Sequence, residues 1–177
     1  MGVPGSMIWA GAGLLLAVAL TGCASDSDPP AAEPSFYNSL ASADAKLDAS
    51  MAASMISGYR SNNGLSTVRV DPQLMKLAQA QAQAMAARDK LEHDVLRDFR
   101  SRLRSSGYDA KVAAENVGAG YHTLAQAFSG WRDSPPHRKN MLLPGATHIG
   151  IATACAPNSK YKVFWALILA TPDRPRG

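Results

Sequence analysis

Two extended segments near the end of the chain decide its fold: Ile149-Gly150-Ile151-Ala152-Thr153-Ala154 and Tyr161-Lys162-Val163-Phe164-Trp165-Ala166-Leu167-Ile168-Leu169-Ala170. Between them lies Pro157-Asn158-Ser159, which predicts a hairpin-type turn. The second segment is almost continuously apolar in its latter half, which is typical of a strand covered on both faces. We therefore expect a terminal antiparallel hairpin whose second strand is central in its sheet.

The sequence before this hairpin predicts helices and further extended segments. In chain order these are a helix ending at Asn62-Asn63-Gly64, an extended stretch Thr67 to Val70, a helix from Asp71-Pro72 to about Arg88, a short helix Arg97 to Ser105, an extended segment Val112 to Tyr121, and a helix opened by the capping box Thr123/Gln126 that ends in a kinked turn at Pro135-Pro136. In the second helix, Gln79, Gln81 and Gln83 are expected to face outward or sideways. Because these elements do not alternate as β-α-β, the predicted fold class is α+β, with helices packed on an antiparallel sheet.

The chain of 177 residues suits one folded domain preceded by an export leader. Residues 8–20 form an uncharged apolar run too short to span a bilayer, and Leu20-Thr21-Gly22-Cys23 resembles the lipobox of bacterial lipoproteins. The alternative is an ordinary secretory leader cut near Ala24. This leader is unusual because the first basic residue is Lys46. The predicted organisation is a lipoprotein signal peptide 1–22, a flexible tether 23–46, the domain 47–172 and a tail 173–177.

Charge and cysteine content narrow the classes of function. The net charge is +4, and the densest basic run, Arg97, Arg100, Arg102 and Arg104, predicts a solvated helix surface. Since no basic stripe or nucleic-acid module is visible, we expect no nucleic-acid partner. If Cys23 carries the lipid, Cys155 has no intramolecular partner, so we expect no disulfide and an inert buried thiol.

The residues that could carry chemistry fall in three stretches: Leu91-Glu92-His93-Asp94, Ala114-Glu115-Asn116-Val117-Gly118-Ala119-Gly120, and Trp131-Arg132-Asp133-Ser134-Pro135-Pro136-His137-Arg138-Lys139-Asn140-Met141-Leu142. His148-Ile149-Gly150-Ile151-Ala152 follows them. In this order and at these separations, the stretches resemble the CAP superfamily (cysteine-rich secretory proteins, antigen 5 and pathogenesis-related proteins). The match is to the short, cysteine-poor SCP domains of bacteria and covers residues 50–170.

The resemblance implies a three-layer α/β/α sandwich around a central antiparallel sheet, with two His and usually two Glu in a cleft. On this chain the cleft residues are His93, Glu115 and His137, with Asn116 and Ser134 beside them. Ser134 stands where animal and plant members carry the second Glu, so the set of four is incomplete.

Two imidazoles and a carboxylate could bind a divalent metal such as zinc, or could form a proton-transfer pair without a metal. They could also hydrogen-bond one another and only tie the fold together. His148 is expected at a strand entrance and His122 on the surface, while Trp131 and Trp165 are expected in the core. Asn116 is expected to bond backbone.

Three functions remain open from the sequence. The favoured one is an exported, lipid-anchored protein of the cell envelope that faces the periplasm or the extracellular space. Its His/Glu cleft, or a hydrophobic groove, binds a lipid, a glycan or an envelope protein without catalysis. The alternative is a metal-assisted hydrolase that uses His93, Glu115 and His137. The third is a passive scaffold whose arginine-bearing helix contacts another envelope protein. In each case the membrane is a partner through the acyl chains on Cys23.

Overall fold

A computed structural model describes residues 1, 2, 5 and 33–173 of the chain. The helices are α1 (Ala49–Asn62), α2 (Pro72–Arg88), α3 (Phe99–Ser105), α4 (Leu124–Asp133) and α5 (Pro135–Met141), and the strands are β1 (Arg69–Val70), β2 (Ala110–Ala119), β3 (His148–Ala156) and β4 (Lys162–Pro172). The predicted α+β class is confirmed.

The four strands form one sheet in the order β1-β3-β4-β2. The predicted terminal hairpin is confirmed: β3 runs antiparallel to β4 with His148 opposite Ala170, and β2 pairs antiparallel with the other side of β4. The prediction of a purely antiparallel sheet is wrong, because the short strand β1 runs parallel to β3. Two backbone bonds hold it there, from the Arg69 N–H to the Thr147 carbonyl and from the Asp71 N–H to the Ile149 carbonyl.

Strand β4 is central and contributes side chains to a hydrophobic core on each face of the sheet. Its alternate residues Trp165, Leu167 and Leu169 pack with α1, α4 and α5, whereas Phe164, Ala166, Ile168 and Ala170 pack with α2 and α3. This alternation follows from the two-residue period of a strand. The three-layer α/β/α sandwich is therefore confirmed.

Local signals place the helix starts where the sequence predicts them. The Asp71 carboxylate accepts hydrogen bonds from the backbone of Gln73 and Leu74 at the start of α2, and the Thr123/Gln126 capping box is formed at the start of α4. Two local predictions are wrong. Gln81 is fully buried rather than facing outward. The kinked turn at Pro135-Pro136 is instead the first turn of α5, where proline needs no N–H partner.

The folded unit begins earlier than residue 47, because part of the predicted tether packs against it. Leu40 is 5% exposed within the core beside α1 and α4, and its N–H donates to the His122 carbonyl. Compact packing extends back to Glu33. The predicted signal peptide and Cys23 lie outside the described residues. Among the described residues, none of the helices has the length and apolar character needed to cross a membrane.

Candidate functional site

The buried carboxylate of Glu115 is the centre of the candidate site. Its side chain is 2% exposed and lies on the face of β2 that packs against α2 and α3. Arg102 Nη2 lies 2.8 Å from both carboxylate oxygens, and His93 Nδ1 lies 2.9 Å from Oε2. The structure therefore brings His93 and Glu115 together, as the sequence predicts, but adds an arginine between the carboxylate and α3.

Arg102 is the residue that sequence reasoning missed. The prediction that its basic run is a solvated surface is wrong at this position, since Arg102 is 5% exposed. Its Nε donates to the Arg97 carbonyl and its Nη2 also donates to the His93 carbonyl, so one side chain fixes the loop before α3. The available signal was helical spacing: Arg102 shares the buried face of α3 with Phe99 and Leu103, three residues before it and one after it.

The loop that carries His93 is held from a second side by α2. Gln81 Nε2 donates to the carbonyls of Glu92 and His93, at 2.8 and 3.1 Å. These bonds satisfy the buried Nε2 of Gln81, whereas its Oε1 is buried without a hydrogen-bond partner among the described residues. The His93 ring itself stays 52% exposed, so it is anchored through Nδ1 and its backbone while its outer edge faces solvent.

His137 reaches the site from the opposite layer of the sandwich. Asn116 follows Glu115 on β2 and points to the other face of the sheet, where its Nδ2 donates to the His137 carbonyl at 3.0 Å. Asn140 Nδ2 donates to Asn116 Oδ1 and to the Glu115 carbonyl, which binds α5 to the edge of β2. The expectation that Asn116 bonds backbone is confirmed. Ser134 Oγ lies 2.9 Å from His137 Nδ1 and orients the ring.

The two histidines are close enough to affect each other. Burial lowers the pKa of His137 below its usual 6.5, and the positive charge of a protonated His93 lowers that pKa further. His137 is half-buried and therefore favours its neutral form near neutral pH. A neutral imidazole with Nδ1 engaged offers Nε2 to an incoming group.

The predicted set of metal ligands, His93, Glu115 and His137, does not fit a metal centre. Within residues 33–173, no three His, Cys, Asp or Glu side chains are grouped so that they could hold a metal ion. The physical reason is Arg102: its guanidinium occupies both oxygens of Glu115 and neutralises the charge that a divalent cation would need. We therefore derive no metal chemistry from this cleft.

The remaining sequence candidates lie elsewhere. His148 begins β3 at 6% exposure, with Arg69 Nε 2.8 Å from its Nε2 and Thr147 Oγ1 2.8 Å from its Nδ1, two strands away from Glu115. His122 is exposed, and Trp131 and Trp165 are core residues, as predicted. Cys155 is a free thiol but only half-buried, so the prediction of a buried thiol is wrong.

A three-layer sandwich with two histidines beside a buried glutamate at the sheet edge defines an SCP-type domain. The model of the CAP (cysteine-rich secretory protein) family matches residues 53–169, and the chain belongs to this family. The chain is also similar to the uncharacterised protein YkwD of Bacillus subtilis, with 33% identity over 94 residues, which are 52% of this chain and 37% of that protein. It thus spans well under half of that relative.

Two solved structures share the fold. One is an extracellular SCP-domain protein of Bacillus anthracis, with a TM-score of 0.60, 24% identity, and coverage of 68% of this chain and 39% of the other. The second is an outer surface protein of Borrelia burgdorferi, with a TM-score of 0.63, 16% identity, and coverage of 73% and 98%. These likenesses show the fold, and the arrangement at Glu115 has to supply the argument about function.

Proposed function

We propose that this protein is an exported binding module of the cell envelope, anchored through a lipid on Cys23, whose cleft at His93 and His137 holds a ligand without catalysis. The lipobox-like sequence at Cys23 supports the anchor. The names of the two structural neighbours, an extracellular protein and an outer surface protein, support a location outside the cytoplasm.

The state of Glu115 carries the proposal. A carboxylate that accepts from Arg102 Nη2 through both oxygens, and from His93 Nδ1 through one of them, has most of its about four acceptor positions occupied by donors of the protein. At 2% exposure it also cannot contact a ligand directly. The groups that a ligand meets are then the outer edges of the His93 and His137 rings.

The chemistry of these rings defines the class of ligand. When neutral His93 donates its Nδ1 proton to Glu115, its Nε2 is an acceptor, so it binds a hydroxyl or an amide N–H. Glycans, lipid headgroups bearing hydroxyls and polypeptide segments all carry such donors, whereas a bare acyl chain does not.

The test is to purify the full chain from its host and identify bound molecules by mass spectrometry. We expect a co-purifying glycan, lipid or peptide, and we expect its recovery to fall in both His93→Ala and His137→Ala. His122→Ala is the matched control, because His122 is an exposed histidine outside the cleft. A ligand recovered equally from all three variants, or from none of the proteins including the parent, would contradict the proposal.

A zinc titration separates this function from the metal-assisted hydrolase. Calorimetry on the full chain in a mild detergent is expected to show no stoichiometric zinc binding, since Arg102 occupies Glu115. Zinc binding that is lost in both His93→Ala and His137→Ala, together with turnover of peptide, ester or peptidoglycan substrates, would favour the hydrolase instead.

The anchor is tested with the two cysteines of the chain. Cys23→Ser is expected to move the protein from the membrane fraction to the soluble fraction and to abolish incorporation of labelled palmitate. Cys155→Ser is the control, because Cys155 lies within the folded unit on β3. Unchanged membrane attachment of Cys23→Ser would refute the anchor without bearing on the cleft.

A further inference from the structure

The outer edge of β2 offers backbone groups at its Ala110 end. The strand β2 is the last in the sheet order, so one of its sides has no neighbouring strand. On that side Trp131 Nε1 donates to the Val117 carbonyl at 3.4 Å, and Asn140 Nδ2 donates to the Glu115 carbonyl at 3.0 Å. By the two-residue period of a strand, the next outward-facing residue is Ala113. Of the side chains in residues 33–173, none bonds its carbonyl on this side.

This open end of the edge faces a groove of about 540 Å³. The groove lies between α3 and the residue Leu143 that follows α5, and Lys111 and Ala113 line it on the β2 side. Its apolar lining residues include Phe99, Leu103 and Val112, which we call the floor of the groove. Lys111 sits at the register shift between Ala110 and Val112, where the β2–β4 ladder is irregular.

The rim of the groove is cationic. Arg100 and Arg104 project from α3 and Lys111 from β2, against the single carboxylate Asp109 among the lining residues. All three cations are exposed, and within the part of the chain that the structure describes they form no salt bridge. The nearby Asp98 is already used to cap α3, since it accepts from the Ser101 N–H.

We propose that this groove binds an extended acidic segment of a partner protein, which adds as a further strand beside Lys111–Ala113. The free N–H and carbonyl of Ala113 would pair with the backbone of the segment, as in β-strand addition. Alternate acidic side chains of the segment would meet Arg100, Arg104 and Lys111, and the intervening apolar ones would pack on the floor. The unpaired strand edge favours a polypeptide over an anionic lipid, because only a polypeptide can continue a sheet.

The test uses the full chain in a mild detergent and a synthetic acetylated peptide of sequence Glu-Val-Glu-Val-Glu-Val-Glu. We expect the peptide to bind, and the corresponding Lys-Val peptide not to bind. The reversals Arg100→Glu and Lys111→Glu should each weaken binding by about 5-fold or more, since each removes an attraction and adds a repulsion. Lys76→Glu is the matched control, as an exposed lysine on α2 outside this groove, and should leave the affinity within about 2-fold.

A backbone readout separates strand addition from simple charge attraction. Hydrogen exchange at the Ala113 amide should slow when the peptide binds. Ala113→Pro, which removes that outward N–H, should weaken binding. If Ala113→Pro folds poorly, the charge reversals Arg100→Glu and Lys111→Glu together with the exchange measurement still test the proposal. Equal binding of the glutamate and lysine peptides, or an Ala113 amide that stays unprotected in the complex, would overturn the proposal. Binding to anionic phosphatidylglycerol vesicles through Arg100 and Lys111, with no binding of the peptide, would overturn it in favour of a lipid surface.

Discussion

Replacing Arg102 by methionine should strongly destabilise the fold, because it leaves the carboxylate of Glu115 buried without its cation. The side chains of Arg102 and Glu115 are 5% and 2% exposed, so water cannot take the place of the guanidinium. The substitution removes the contacts to both Glu115 oxygens and the bonds to the carbonyls of Arg97 and His93. Breaking a buried ion pair from one side costs about 3–5 kcal/mol. Since the free energy of unfolding of such domains is about 5–15 kcal/mol, this substitution should remove a large part of it.

Urea unfolding followed by tryptophan fluorescence measures this loss. Trp131 and Trp165 are 1% and 0% exposed in the folded protein, so their fluorescence changes when unfolding exposes them to water. With an m-value of about 2 kcal/mol per molar, the midpoint should fall by about 2 M. The double variant Arg102→Met with Glu115→Gln should recover a large part of the loss, since no uncompensated charge remains. A cost below about 1 kcal/mol for Arg102→Met, or a double variant whose cost is the sum of the two singles, would refute the buried ion pair.

Three further predictions follow from contacts at and around the site. The pKa of His137 is lowered in the folded state and stays near 6.5 in the unfolded state, so the unfolded chain binds more protons just below that pH. The free energy of unfolding should therefore fall as the pH drops from 7 through the folded pKa. In urea unfolding, His137→Gln should lose this pH dependence and the control His122→Gln should keep it. Asn140→Ala should lower the free energy of unfolding by about 1–3 kcal/mol, since it leaves Asn116 Oδ1 and the Glu115 carbonyl without their donor. In this variant hydrogen exchange should be faster in α5 than in α1. Equal protection of the two helices would contradict the prediction. Gly150→Ala should be severely destabilising, because its Cβ would lie 2.2 Å from the backbone of Leu74 on α2. Gly58 lies in the middle of α1 and a Cβ there would meet nothing within 4 Å. Gly58→Ala should therefore stabilise the protein by about 0.5–1 kcal/mol in the same unfolding assay.

The parts of the fold that the sequence predicts are those with local chemical causes. Asp71-Pro72 and the Thr123/Gln126 box place helix starts because a cap needs only its own first turn. The apolar run in β4 predicts a central strand because every face of that strand is buried. By contrast, β1 is a two-residue strand, and its parallel pairing with β3 depends on residues nearly eighty positions away. No local pattern in β1 carries that information.

The candidate site likewise has one contact that the sequence predicts and one that it does not. The motif resemblance predicts that His93 and Glu115 meet, and they lie 2.9 Å apart. It does not predict Arg102, since that residue stands in a run of arginines whose other members are exposed. Helical spacing with Phe99 and Leu103 indicates which arginine is buried, but the carboxylate that it meets is brought there by the tertiary contact between α3 and β2. The alternative of a metal site does not fit Glu115 for this reason, because the cation beside that carboxylate is a side chain of the protein.

The pair Glu115-Asn116 explains how the cleft is held together. Neighbouring residues on a strand point to opposite faces, so Glu115 anchors the layer of α2 and α3 through Arg102, while Asn116 anchors α5 in the other layer through the His137 carbonyl. His93 thus belongs to one layer and His137 to the other, and they approach each other past the edge of β2. Any ligand that contacts both rings bridges the two layers, so its binding should stabilise the whole domain against unfolding rather than the cleft alone.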